Sequence, residues 1–140
     1  MRRILVGIDG SETSLRAARL AADIASQFGA QLTLAYAVPR LLLPPDAYGL
    51  TRSGQEEEGR AVANRVLVEA TTMVGRPGLW VDTLVLHGRP AESLAEAAWA
   101  SNVDLIVVGN RGRGLVSRML LGSVTSKLVH ISSKPVLVWH

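Results

Sequence analysis

A glycine-rich stretch near the carboxyl end of the chain has the residue types and the spacing of a phosphate-binding loop. Gly109 and Gly112 are separated by two residues, nine more residues precede Gly122, and Ser123 follows directly. Glycine allows a backbone amide to approach an anion without a side chain in the way. A helix is expected to begin at Ser123, where unpaired N–H groups and the helix dipole favour phosphate. We therefore predict that this stretch binds a phosphate group.

Two common phosphate-binding motifs are absent from this stretch in their strict forms. The pattern GxxxxGK[ST] does not occur, and "GRGLVS" fails the pattern GxGxxG at its last position. A standard P-loop or dinucleotide site is therefore not expected. The hydroxyl groups of Ser123 and Thr125 are candidate additional donors. One alternative stays open, in which the glycines serve only the turns of a flexible connection.

Short apolar stretches alternate with helical patterns along the chain. Ser11 is the expected N-cap of the first helix, and Gly29 its expected end. Three prolines and two glycines predict a long loop over residues 39–54, within which residues 41–45 are either a lid, a partner contact or a segment packed on its own domain. Strands are predicted over residues 3–8, 31–38, 79–87, 103–109 and 134–140, and helices over residues 10–29, 55–74, 90–101 and 123–132.

This alternation predicts an α/β fold in which one five-stranded parallel sheet carries helices on both faces. Right-handed connections make a doubly wound sheet of order 3-2-1-4-5 the leading topology. The winding then reverses between strands 1 and 4, and ligands bind at the carboxyl ends of the strands at such a point. Asp9 follows strand 1 and Gly109 ends strand 4. We therefore expect Asp9 and the glycine-rich stretch to face each other.

Length and composition limit the classes of protein and site. The 140 residues are 48% hydrophobic, which suits one domain over residues 1–140. The absence of cysteine excludes disulfides and thiolate metal sites, and His87, His130 and His140 lack metal-ligand spacing. Fifteen basic and twelve acidic residues without a dense basic run do not indicate nucleic-acid binding. No apolar run is long enough for a membrane span or an export signal, which favours a cytoplasmic protein.

Four sequence segments together resemble one known family. They are the N-terminal "ILVGIDGSETS", the spacing of Gly109, Gly112, Gly122 and Ser123, the segment "LHGRPAESL", and the terminal "KPVLVW". In this order they resemble the ATP-binding branch of the universal stress protein family, over essentially the whole chain. The resemblance implies a five-stranded parallel α/β fold, bound ATP or the related ADP or AMP, and Mg²⁺ or Mn²⁺ with the nucleotide. It also implies a homodimer that pairs through the last strand.

The resemblance also assigns roles to residues by matching position. Asp9 would offer a carboxylate to the nucleoside and Val38 a backbone edge, although Asp9 alternatively serves as a turn residue before the first helix. Arg113 and Arg118 are further candidates on the loop. The implied nucleotide-binding residues are Gly7, Ile8, Asp9 and Val38 for the nucleoside, Val108, Gly109, Arg111 and Gly112 for ribose and phosphates, and Gly122, Ser123, Val124 and Thr125 for the phosphate tail.

Three functions remain in view. The first is a cytoplasmic stress-response protein that binds ATP between strands 1 and 4 and acts as a nucleotide-dependent binding or signalling module. The second is a slow metal-dependent ATPase, although no general base beyond Asp9 is evident and no catalytic residue is assigned. The third is an interaction dimer that uses no nucleotide, ranked last because the glycine motif is intact. The apolar residues 136–139 form an expected edge strand, and such an edge favours pairing with a second copy.

Overall fold

The structure, a computed structural model, describes residues 1–40, 52–110 and 121–140. The predictions for residues 41–51 and 111–120 lie outside the described residues. Within the described ranges, none of the helices combines the length and the apolar character that crossing a bilayer requires. In chain order the elements are β1 (Arg3–Gly7), α1 (Glu12–Phe28), β2 (Gln31–Val38), α2 (Arg52–Val74), β3 (Val81–His87), α3 (Pro90–Ala100), β4 (Leu105–Gly109), α4 (Ser123–Ile131) and β5 (Val136–Trp139).

The five strands form one parallel sheet of order β3-β2-β1-β4-β5, which confirms the predicted fold and topology. Val6 of the central strand is aligned with Leu34 on one side and with Val107 on the other. Two hydrophobic clusters cover the two faces of the sheet. One contains buried residues of α1 and α2, and the other contains buried residues of α3 and α4. Apolar side chains on both faces are therefore buried, as a parallel sheet with helical layers requires.

Alanines allow α1 to pack closely on the sheet. Its five fully buried alanines are Ala17, Ala18, Ala21, Ala22 and Ala25. The Ser11 side chain accepts a hydrogen bond from Ser14 N, and Gly29 ends the helix in the left-handed conformation, with φ of 62°. Both helix-end predictions are confirmed. The N-terminus of α1 is thereby held at the carboxyl ends of β1 and β4.

Several element boundaries differ from the predictions. Helix α2 begins at Arg52, inside the range predicted as a loop. Gly54 is tolerated in its first turn, because glycine destabilises a helix mainly in the interior. Strand β1 ends at Gly7 rather than at residue 8. Strand β3 begins at Val81 rather than at residue 79, because a turn comes first, in which Leu79 N donates to Arg76 O.

The two strands nearest the carboxyl end are also shorter than predicted. Strand β4 begins at Leu105, and the carboxylate of Asp104 just before it accepts hydrogen bonds from the N–H groups of Arg2 and Arg3. Strand β5 is limited to Val136–Trp139 because Lys134 belongs to a turn in which its N–H donates to the Ser132 hydroxyl. Side-chain hydrogen bonds, long-range at Asp104 and local at Lys134, therefore occupy the positions where both predicted strands were expected to begin.

Candidate functional site

A cavity of about 340 Å³ opens at the carboxyl ends of β1 and β4, where the strand order reverses. Its position is the one at which doubly wound sheets bind ligands, and its volume suits a small molecule. Its walls come from the ends of β1, β2 and β4 and the starts of α1, α3 and α4. The lining residues are Gly7, Ile8, Asp9, Ser14, Ala35, Tyr36, Ala37, Pro39, Pro90, Leu94, Val108, Gly109, Gly122, Ser123, Val124 and Thr125.

Glycine at position 109 permits a close approach between β4 and α1. A Cβ atom at Gly109 would lie 2.9 Å from the carbonyl carbon of Thr13 and 3.0 Å from the backbone nitrogen of Ser14. These are backbone atoms of the first turn of α1, which a side-chain rotation cannot move away. Any larger residue at position 109 would push α1 away from the sheet. Gly109 therefore brings strand β4 and the N-terminus of α1 together at the cavity wall.

Asp9 lines the cavity and also shapes the turn that leads into α1. Its Oδ1 accepts a hydrogen bond from Ser11 N at 2.9 Å, and its own N–H donates to Ser14 Oγ at 3.4 Å. Between them, Gly10 has a φ of 82°, a conformation that favours glycine. The carboxylate is thus anchored through one oxygen at the wall of the cavity. The turn role and the proposed ligand role of Asp9 are compatible in this geometry.

Ser14 is a cavity residue that the sequence analysis missed. It is 3% exposed, and its Oγ donates to Ser11 O at 2.9 Å while receiving the Asp9 N–H. The side chain therefore holds the turn around Asp9 in place. Its position three residues after an N-cap serine was the available signal, because first-turn polar side chains commonly bond back to the turn before a helix.

The start of α4 leaves backbone donors facing the cavity. The N-cap residue Gly122 has no side chain to accept a hydrogen bond, and the first intrahelical bond runs from Ser126 N to Gly122 O. The N–H groups of Ser123, Val124 and Thr125 precede that bond, so they have no acceptor within the helix. All three residues line the cavity. This wall therefore has the donors and the positive dipole end that an anion requires.

The hydroxyl of Thr125 has a structural partner. Its Oγ1 donates to Gly109 O at 2.8 Å, and the residue is buried. The expectation that this hydroxyl adds a donor for a ligand is therefore not matched by the geometry, because its proton is used to join α4 to the end of β4. Ser123, in contrast, is exposed and lies at the first position of the helix.

Val38 does not line the cavity, and the pairing pattern of β2 explains why. In a parallel strand, alternate residues direct their N–H and C=O groups to opposite neighbours. Val38 O accepts a hydrogen bond from Gly88 N beside β3, and the Val38 side chain is buried close to Gly59 of α2. The expected backbone edge at Val38 is therefore already engaged in the structure.

Ala37, one residue earlier, directs its backbone N–H and C=O groups to the opposite side of β2. Ala35 O accepts a hydrogen bond from Ile8 N, so Ala35 faces β1, and Ala37 faces the same side two residues later. Strand β1 pairs with β2 only as far as Gly7, which is aligned with Ala35. The backbone edge of Ala37 therefore extends beyond the end of β1 into the crevice, and Ala37 lines the cavity.

Asn110 joins the start of α4 to the last strand. Its backbone N–H donates to Trp139 O, and its carbonyl accepts from Gly122 N, both at 2.7 Å. The side chain is 4% exposed, with Nδ2 lying 3.2 Å from Nδ1 of His140. The sequence analysis did not name this residue, and asparagine directly after a strand carries little signal because it is common in turns. In the structure it sets the position of Gly122 relative to β5.

The predicted site residues fall into three groups in the structure. Val38 lies beside the cavity without lining it, and Arg111 and Gly112, with the further candidates Arg113 and Arg118, lie outside the described residues. The sequence analysis placed the end of β2 at the site through Val38 rather than Ala37, and it assigned no site residue to the start of α3. The predicted residues that line the cavity are Gly7, Ile8, Asp9, Val108, Gly109, Gly122, Ser123, Val124 and Thr125.

Among the described residues, charged groups are few at the cavity itself. Asp9 is the one carboxylate among the lining residues in the described part of the chain. Across residues 1–40, 52–110 and 121–140, no group of three or more His, Asp or Glu side chains lies close enough together to hold a metal ion. At the outer rim, beyond the residues of α3 and α4 that line the cavity, Lys127 contacts Glu92. The cavity wall is thus largely apolar, with its polar groups at the starts of α1 and α4.

Comparisons with known proteins agree with this architecture. A family model described as the universal stress protein family matches residues 1–140. A universal stress protein of Thermus aquaticus is 37% identical over 140 residues, which cover 98% of this chain and 97% of that protein.

Two solved structures are also similar. The universal stress protein UspA from Lactobacillus plantarum has a TM-score of 0.88 at 26% identity, covering 99% of this chain and 97% of that one. A universal stress protein crystallised in complex with cAMP has a TM-score of 0.68 at 29% identity, covering 99% and 96%. On the sequence match along its full length, supported by the fold, this chain is a member of the universal stress protein family.

Proposed function

We propose that this chain binds an adenine nucleotide in the cavity between β1 and β4, with ATP as the main ligand and ADP or AMP as alternatives. The observation that carries the proposal is the open start of α4, whose first three N–H groups border a cavity with largely apolar walls. The first part suits phosphate and the second suits a flat aromatic base. The similarity to a universal stress protein crystallised with cAMP supports the adenine class.

The base is proposed to lie at the end of β2 against Ala37 rather than against Val38. The amino group and ring nitrogen on one edge of adenine are a donor and an acceptor, which complement a backbone C=O and N–H. The backbone groups of Ala37 extend past the end of β1, whereas those of Val38 are directed to β3. Pro39 and Leu94 supply apolar contacts nearby. Only the backbone N–H and C=O groups of Ala37 would form hydrogen bonds with the base, so the alanine side chain does not contribute to base specificity.

Asp9 and the backbone near Gly7 are proposed to hold the ribose between base and phosphates. A half-buried carboxylate with one oxygen anchored by Ser11 N is suited to accept from a sugar hydroxyl. Mg²⁺ or Mn²⁺ is proposed to accompany the phosphates. Mg²⁺ at nucleotide sites commonly keeps several waters and binds phosphate oxygens, so no dedicated protein metal cage is needed.

The direct test uses the wild-type chain. The purified protein is denatured and the supernatant is searched for adenine nucleotides by chromatography and mass spectrometry. Calorimetry then follows the titration of ATP, ADP and AMP into nucleotide-free protein, with and without Mg²⁺. We expect released adenine nucleotide or saturable binding of ATP. A chain that carries no nucleotide and binds none of the three contradicts the proposal.

In this proposal the bound nucleotide sets a binding or signalling state, and the chain acts in the cytoplasm during stress. A slow ATPase is the second candidate, favoured by one observation, the position of the Asp9 carboxylate on the cavity wall. Metal-dependent release of phosphate that is lost in Asp9→Asn would support hydrolysis with Asp9 as the base. Turnover unchanged in that variant would argue against this role of Asp9.

A homodimer through residues 136–139 is also proposed. Strand β5 is the edge of the sheet, and its four residues are each only half-buried in the single chain. On α4 beside it, Val129 is 47% exposed and Ile131 is 43% exposed. An apolar edge of this kind favours pairing with a second copy. Light scattering at micromolar concentration should give twice the chain mass, and a monomer at that concentration would contradict the dimer.

A further inference from the structure

An ion pair joins the first turn of α3 to the second turn of α4 at the outer rim, just beyond the residues of these two helices that line the cavity. The Nζ of Lys127 contacts Oε1 of Glu92, and Nη1 of Arg89 lies 3.9 Å from the same oxygen. The hydrogen bond from Lys127 lowers the pKa of Glu92, so this carboxylate is ionised at neutral pH. One negative charge therefore lies against two positive charges at this rim.

The ion pair lies beside the wall that carries the open N–H groups. Pro90 and Leu94 of α3 line the cavity, whereas Glu92, two residues from each, lies on another side of this helix, toward α4. Lys127 comes one helical turn after Ser123, so both side chains are on the same side of α4, and helical side chains lean toward the N-terminus. Ser123 lines the cavity. The ammonium group of Lys127 contacts Glu92 in the structure, and its flexible four-carbon stem gives it a range that extends toward the start of α4, where phosphate is proposed to bind.

The exposure of this pair indicates that it can exchange partners. The side chain of Lys127 is 48% exposed and that of Glu92 is 38% exposed, and pairs of this kind contribute little to stability. Both charges nevertheless act on an anion in the cavity, Glu92 by repulsion and Lys127 by attraction. Coulomb energies grow with the charge of the ligand, so both effects increase from AMP to ATP.

We propose that Glu92 and Lys127 set the selectivity of the site for the number of phosphates. In this mechanism Lys127 leaves Glu92 and contacts the outer phosphates when a diphosphate or triphosphate binds, while Glu92 opposes their charge. The inference rests on the proposed function, because it assigns a role to the rim of the same site. The base and ribose are identical in AMP, ADP and ATP, so the pair acts on the ratio of the three affinities.

The experiment measures that ratio in four forms of the full chain by calorimetry. The forms are the wild type, Glu92→Gln, Lys127→Gln and the double variant, each titrated with AMP, ADP and ATP. Titrations are made at low ionic strength with EDTA and are repeated with Mg²⁺. Circular dichroism and the thermal midpoint of each variant establish that it is folded. Because both side chains are exposed, either single variant tests the proposal if the other fails to fold.

We expect Glu92→Gln to tighten AMP about twofold and ATP about fivefold, because a water-like dielectric weakens a charge at this range without removing its effect. Lys127→Gln should weaken ATP more than ADP, and ADP more than AMP. In the Lys127→Gln background, the gain from Glu92→Gln should be smaller, because no freed ammonium group remains to contact phosphate. All of these differences should shrink at high salt.

Asp23→Asn is the matched control. Asp23 lies in the second half of α1, toward the amino ends of the strands and away from the cavity, and it pairs with Arg76 at 2.6 Å. The substitution makes the same change in net charge as Glu92→Gln. The control should leave all three affinities unchanged. If Glu92→Gln and Lys127→Gln change the three affinities by equal factors, or not at all, the pair is structural and the inference is overturned. If the wild type binds none of the nucleotides, the proposed function fails, and this inference fails with it.

Discussion

Helices α1 and α4 both begin at the cavity, but their first turns are completed differently. At α1, the Ser11 side chain accepts from Ser14 N, and Asp9 Oδ1 accepts from Ser11 N, so the chain supplies its own acceptors. At α4, the N-cap is Gly122, which has no side chain to accept a hydrogen bond. Both helix ends favour an anion by their dipoles, but one first-turn donor of α1 already has a side-chain acceptor, whereas the cap of α4 supplies none. The comparison teaches that a glycine cap leaves more first-turn donors available to a phosphate than a serine cap does.

The substitution Gly122→Asp tests this difference with the largest expected effect. The backbone at Gly122 is extended, with φ of −60° and ψ of 155°, so other residues can adopt it. A carboxylate there would accept from the first-turn N–H groups and repel phosphate, and we expect ATP to bind about a hundredfold more weakly. Calorimetry measures the loss. Gly122→Asn, which caps without charge, is the control and should lose less. Unchanged ATP affinity in Gly122→Asp would contradict the assignment of α4 as the phosphate site.

Ser123→Pro removes one of the open donors while keeping the helix. Position 123 is the first of α4, where proline is well tolerated, and the extended backbone of Gly122 suits the residue before a proline. A hydrogen bond from a backbone N–H to a charged phosphate is worth about 1.5–3 kcal/mol, so ATP affinity should fall at least about tenfold.

Ser123→Ala is the matched control for this change, because it removes the hydroxyl and retains the N–H. It should weaken ATP less than Ser123→Pro does. Equal losses in the two variants would mean that the hydroxyl, rather than the backbone, contacts the ligand.

Ser11→Ala addresses the closed helix end. Removing the N-cap side chain of α1 leaves Ser14 N without its acceptor, and we expect a loss of about 1 kcal/mol in the free energy of unfolding. Chemical denaturation measures it. The ratio of ATP to AMP affinity should not change, because this side chain acts on α1 itself. A shift in that ratio would show that α1 also participates in phosphate binding.

The smallest effect is expected at the amino ends of the strands, away from the cavity. There Asp104, like Ser11 at the start of α1, accepts hydrogen bonds from backbone N–H groups. Its carboxylate accepts from the N–H groups of Arg2 and Arg3 at 2.6 and 3.0 Å, and these bonds lower its pKa. The stability contributed by Asp104 is therefore fully present above the ordinary pKa of an aspartate, about 4, and is lost as pH falls through the lower folded pKa. Asp104→Asn should lose stability at neutral pH and show a weaker dependence on pH below about 4. Denaturation at pH 7 and pH 3 measures both, and equal acid sensitivity of variant and wild type would contradict this role.

The fold could be predicted from the sequence because its signals are local and repeated. Apolar strands alternate with helical patterns, and the right-handed connection rule leaves few sheet orders. Ser11 and Gly29 were recognisable because a helix end depends on a few neighbouring residues. The site residues were harder to predict from the sequence, because Ser14, Pro90 and Leu94 reach the cavity from elements that lie far apart in the chain.

Val38 and Ala37 illustrate the limit most directly. They are the last two residues of the apolar strand β2, and their side-chain types do not indicate which one faces the crevice. The choice depends on the register between β1, β2 and β3, in which Gly7 is aligned with Ala35 and His87 with Val38. A shift by one residue would exchange their directions.

The sequence by itself determined the order of the elements, the glycine spacing and the absence of a side-chain cap at Gly122, because these depend on residue type and local backbone conformation. The tertiary structure alone decided which of these groups meet. It packed Gly109 against the first turn of α1, formed the hydrogen bond from the Thr125 hydroxyl to Gly109 O, and linked Gly122 to β5 through Asn110. The physical reason is that hydrogen-bond partners distant in the chain are selected by strand pairing and helix packing, which no local pattern specifies.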